Sequence, residues 1–114
     1  GMKIVSDAIA TTELAEMASH FFGNLVKAVI DIERGVLAVD AGLHADLESL
    51  LLDDGSGQLD LWGINLYPDL PGEDMIEYDS MINIRPQLGN RSRTVEDPRV
   101  RGKIAEIVAR LVIP

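Results

Sequence analysis

The chain has 114 residues, 46% hydrophobic and only 4% aromatic content, no cysteine and a formal net charge of −9. That length fits one domain, residues 1–114, able to bury an aliphatic core without metal or disulfide staples. The lack of cysteine excludes disulfides, thiolate metal sites and a cysteine nucleophile, and the acidic balance argues against general nucleic-acid binding.

In chain order, residues 3–5 read as a short edge strand. Thr11 or Thr12 offers a hydroxyl N-cap, and Leu14, Met17, Ala18, Phe21 and Phe22 recur at helical spacing before a stop at Gly23. From 25 to 33 the period changes to two, Arg34-Gly35 makes a tight turn, and 36–40 returns as the second strand of a hairpin. Leu43, Leu47, Leu50 and Leu51 predict a helix ending at Gly55. Residues 59–67 read as a strand, 68–74 as a loop, and 75–85 as a strand alternating Ile76, Tyr78, Ser80, Ile82 and Ile84 against Met75, Glu77, Asp79, Met81, Asn83 and Arg85. A polar loop spans 86–96. Asp97 and Pro98 then open a last helix with Val100, Ile104, Ile107, Val108 and Leu111 on its buried stripe. The expected class is α+β: an antiparallel sheet of four to five strands, built from two hairpins, covered on one face by about three helices.

Charge is segregated. Residues 1–84 carry three basic against 16 acidic side chains, whereas 85–114 carry seven basic against three acidic. No apolar run approaches the roughly 20 residues that cross a bilayer. No basic-then-apolar leader is visible, and Gly1 ahead of Met2 reads as a remnant of tag removal. These features fit a cytoplasmic, prokaryotic protein.

No Walker loop, dinucleotide fingerprint, His-Glu-x-x-His or Gly-x-Ser-x-Gly motif is present, and no cofactor or metal is expected. His44 and Asp46 lie at a strand-to-helix junction, but positions i and i+2 of a helix point about 200° apart and cannot share a metal. The acidic turn 53–57 lacks the later ligands of a calcium loop. The polar row of 79–85 carries the main expectation. If 75–85 is a strand, Asp79, Asn83 and Arg85 share one exposed face, and the loop adds Asn90 and Arg91. Asn83, Arg85, Asn90 and Arg91 would then hold a small anion, with Asp79 or His44 as the only acid–base candidates. Leu61, Tyr67, Met75 and Met81 on that face suggest pairing with a second copy.

His44-Ala45-Asp46 with Leu50 to Ser56, Leu61-Trp62-Gly63-Ile64-Asn65-Leu66-Tyr67-Pro68, Asp79 to Pro86 and Gly89-Asn90-Arg91-Ser92 together resemble a small family of uncharacterised prokaryotic proteins, known as a domain of unknown function. The resemblance spans nearly the whole chain and implies no activity. Three functions follow as expectations: a self-associating binding module for an anionic group; a small enzyme acting on an anionic or phosphorylated substrate; or an acidic, antitoxin-like partner of a basic protein.

Overall fold

A computed structural model describes residues 1–114. The elements run β1 (Lys3–Val5), β2 (Ile9–Ala10), α1 (Thr11–Ser19), β3 (Val26–Asp31), β4 (Val36–Val39), α2 (His44–Asp53), β5 (Leu61–Leu66), β6 (Ile76–Glu77), α3 (Pro98–Leu111) and β7 (Val112–Ile113). Short 3-10 turns at Gln58–Asp60, Gly72–Met75, Met81–Asn83 and Pro86–Leu88 break up the connections. No helix is long and apolar enough to cross a membrane.

The fold is α+β, with a five-stranded antiparallel sheet in the order β1-β4-β3-β5-β6. A second, parallel pair joins β2 to β7, setting Ile9 opposite Val112 near the two ends of the chain. The β3–β4 hairpin turns as its sequence predicts, with Gly35 at φ +70°. Asp31 fixes that turn by accepting the N–H groups of Glu33 and Arg34, each at 2.9 Å. Helix α3 begins as expected, Asp97 accepting the Arg99 N–H at 2.8 Å ahead of Pro98. Helix α1 starts and stops earlier than its apolar spacing suggests. Ala10, not a threonine, is its N-cap, and it ends at Ser19, leaving Phe21 and Phe22 outside it.

The helices divide between the two sheet faces instead of gathering on one. Alternate residues of the central strands face opposite ways. Ala28, Ile30, Leu37, Val39, Trp62, Ile64 and Leu66 pack with the stripes of α1 and α3. Val29, Val36, Ala38 and Leu61 pack with Leu47 and Leu51 of α2. Coverage of both faces leaves no side of the central strands in water, which is why every residue of β4 and β5 is buried, Asn65 included.

The expected strand over 75–85 is the main correction. Only Ile76 and Glu77 pair with β5, opposite Leu66 and Asn65, and the chain then turns through Met81–Asn83. Beyond Glu77 side chains take over from the backbone ladder. Asn83 Oδ1 accepts the Gly63 N–H at 2.8 Å, and its Nδ2 donates to the Gly63 carbonyl at 2.9 Å. One step further along the edge, the Arg85 guanidinium donates to the Leu61 carbonyl. The outer groups of residues 61, 63 and 65 are thus satisfied without a full strand. Gly63 is required for this approach, because a Cβ there would lie 2.5 Å from both the Cβ and Oγ of Ser80.

Candidate functional site

The polar residues singled out in the sequence are mostly part of this edge seal. Asn83 is fully buried and gives its remaining amide hydrogen to the Arg93 carbonyl at 2.9 Å. Arg85 is buried over the Trp62 ring, 5.4 Å from its centroid, and pairs with Glu48 at 2.9 Å. Asn90, also buried, ties the loop together: Nδ2 donates to the carbonyls of Asn83, Ser92 and Thr94, and Oδ1 accepts the Glu96 N–H. In this arrangement the Asn83 and Asn90 carboxamides are bonded within the fold, and Arg85 is buried against the Leu61 carbonyl and Glu48.

The loop forms a cluster of N–H donors, but an internal carboxylate fills it. Glu96 Oε2 accepts from the N–H groups of Arg91 and Ser92, each at 2.9 Å, and from the Ser92 hydroxyl at 2.7 Å. Those bonds, the hydroxyl's first, hold the Glu96 pKa below the ordinary carboxylate range. Arg91 itself is exposed at the outside of this turn.

The surface expected to pair two copies is also dismantled. Leu61 is fully buried under α2, and Tyr67 and Met75 are half-buried, while Met81 alone stands well exposed. The four therefore do not form one exposed sheet face.

Asp79 and His44 both adjoin Arg93, Asp79 through an ion pair and His44 as a wall of the cavity that Arg93 also lines. Their cationic neighbours are Lys27 and Arg93, not Arg85 and Arg91. Arg93 wraps onto Asp79, with Nε 2.7 Å from Oδ1 and Nη2 3.2 Å from Oδ2. That bond, aided by the Arg93 charge, lowers the Asp79 pKa, and the same bond raises that of Arg93. The Arg93 carbonyl accepts from the N–H of Ser80 and from Asn83, which fixes this segment beside the start of α2.

At the start of α2 lies a cavity of about 190 Å³ lined by Lys27, Leu43, His44, Ala45, Ser80, Met81, Ile82 and Arg93. Leu43 occupies the N-cap of α2 and provides no side-chain cap, so the first-turn N–H groups of His44 and Ala45 lack any partner that the helix can supply. The positive end of the helix dipole therefore faces the cavity. His44 is 7% exposed, and its Nε2 lies 2.7 Å from the Ile64 carbonyl. That contact requires Nε2 to carry the proton, and Nδ1 makes no hydrogen bond. Burial lowers the His44 pKa to about 4, so the ring is neutral at neutral pH.

Lys27 makes no ion pair; its Nζ lies 5.0 Å over the Phe22 ring. Across the strand pair is Asn65, whose Nδ2 donates to Glu77 at 2.8 Å and whose Oδ1 is buried without a donor. The Ser80 hydroxyl accepts the Ile82 N–H at 3.2 Å and keeps its own hydrogen free to donate. No group of three or more His, Asp or Glu side chains converges anywhere in the chain.

The sequence pointed to His44 and Asp79 but missed Lys27 and Ser80 as members of a site. One signal was available for Lys27: it is one of only three basic residues in the first 84, set in a strand that is otherwise apolar up to Asp31. Nothing local places Ser80 beside it.

Compared with known proteins, residues 3–111 match the model of a family described as protein of unknown function, DUF5674, and the chain belongs to that family. No curated protein and no solved structure matches it.

Proposed function

We propose that this member of the DUF5674 family is a small binding module, and that the cavity at the N-terminus of α2 is its site for an anionic group. The observation that carries the reading is Lys27, a half-buried cation without a counter-ion in a chain of net charge −9. The uncapped first turn of α2, through His44 and Ala45, lines the same space as Lys27, a combination that recurs at anion sites. Arg93 lines one wall but is already neutralised by Asp79.

Binding ranks ahead of catalysis for two reasons. A histidine with a pKa near 4 is a weak base at neutral pH, and Asp79 is engaged by Arg93. Titration with acetate at constant ionic strength, followed by NMR chemical shifts, tests the proposal against Lys27→Gln. Loss of one charge-assisted hydrogen bond at a half-exposed position should weaken binding about ten-fold. Equal affinity in the two proteins, or no saturable binding in either, would refute it.

A further inference from the structure

Both phenylalanines of this aromatic-poor chain lie on its surface, Phe21 51% and Phe22 45% exposed. Leu43 and Met81 are more exposed still, at 60% and 64%. Side chains of this kind are ordinarily among the most buried, and single exposed ones need no explanation. Here the four are neighbours around one feature. Leu43 and Met81 line the cavity at the start of α2, Phe22 lies against the Lys27 ammonium, and the Phe21 ring packs beside Gly42, next to Leu43. The two phenyl rings are themselves 6.3 Å apart. A cavity whose largely apolar wall carries the two cations Lys27 and Arg93 is thus continued outward by exposed apolar side chains.

Size and charge narrow what such a place can hold. The cavity, about 190 Å³, has room for roughly six water-sized groups, enough for an anionic head and little more. Its two cations do not count equally. Arg93 is matched by Asp79 at 2.7 Å, so the uncompensated charge is that of Lys27 alone. One positive charge, in a strongly acidic chain, favours a monoanion over a dianion.

We infer that the ligand is a small amphipathic carboxylate, its head held in the cavity by Lys27 and the first turn of α2, its aliphatic or aryl body lying on Phe21, Phe22, Leu43 and Met81. This rests on the anion-binding reading above and adds the chemistry of the rest of the molecule. One unpaired cation set among apolar side chains, inside the cavity and around it, matches the two ends of such a ligand.

The test compares acetate, hexanoate and hexan-1-ol as ligands of the intact chain. Each fully buried methylene contributes a factor of about four, and a rim covering one side of the tail gives roughly half that effect. Hexanoate should therefore bind about ten-fold or more tightly than acetate. The hexanoate-to-acetate ratio should fall toward one in Phe22→Ser and in Met81→Ser, two surface substitutions that leave the core intact. Equal binding of acetate and hexanoate would overturn the inference while leaving the anion site standing. Hexanol binding as well as hexanoate, or no binding of either carboxylate, would overturn both. A concentration-dependent dimer in sedimentation, abolished by Met81→Ser, would assign the rim to a second copy and also overturn it.

Discussion

Replacing Asn83 by alanine should destabilise the protein far more than its place in an irregular segment suggests. Its carboxamide makes three hydrogen bonds, to the Gly63 N–H at 2.8 Å and to the Gly63 and Arg93 carbonyls at 2.9 Å, with no exposure to solvent. Truncation leaves buried backbone groups of β5 unpaired, at about 1–3 kcal/mol each before water enters. The three are coupled through one side chain and do not add fully, so about 3–5 kcal/mol is the expected total. That is a large fraction of the roughly 5–15 kcal/mol that holds a domain together. Urea unfolding with linear extrapolation measures it, with Arg91→Ala as an exposed control from the same loop, expected to lie within about 0.5 kcal/mol of the parent. If Asn83→Ala unfolds within about 1 kcal/mol of the parent at an unchanged slope, side chains do not seal the β5 edge and the reasoning fails.

Two further outcomes follow from buried titratable and charged groups. His44 has its folded pKa lowered to about 4 against 6.5 in the unfolded chain, so the unfolded state takes up the proton first as pH falls. Stability is therefore full above about 6.5 and declines down to about 4, by about 3 kcal/mol from this residue, and His44→Gln should flatten that part of the unfolding profile. Glu48→Ala leaves the buried Arg85 guanidinium without its carboxylate and should cost about 3 kcal/mol at neutral pH. Glu48→Ala combined with Arg85→Met, which removes both charges, should recover part of that loss in the same urea assay.

Most helices and the first hairpin were legible because their signals are local. Asp97-Pro98 opened α3, the leucine spacing marked α2, and the Arg34-Gly35 turn set β3 against β4. Residues 75–85 misled for a physical reason. Asn83 and Arg85 alternate because they run beside the extended strand β5, but it is their side chains, not their backbone, that bond to Gly63 and Leu61. Period-two spacing does not distinguish these arrangements. Coverage of both sheet faces was readable in part, since Val-Leu-Ala-Val over β4 shows no polar alternation at all. Phe21 and Phe22 fitted the helical period of α1, but the helix ended first, which turned a supposed core stripe into exposed surface. Lys27 and Arg93 line one cavity from positions far apart in the chain, a meeting made by tertiary packing alone.

The central claim is that the space between Lys27, Ser80 and the first turn of α2 accepts an anion. Crystals soaked in bromide, a monoanion located by its anomalous scattering, test this directly. The expected result is a bromide peak within hydrogen-bonding reach of Lys27 Nζ and the His44 or Ala45 N–H. Bromide ordered only at the exposed arginines of the 85–114 segment, with none in the cavity, would contradict it.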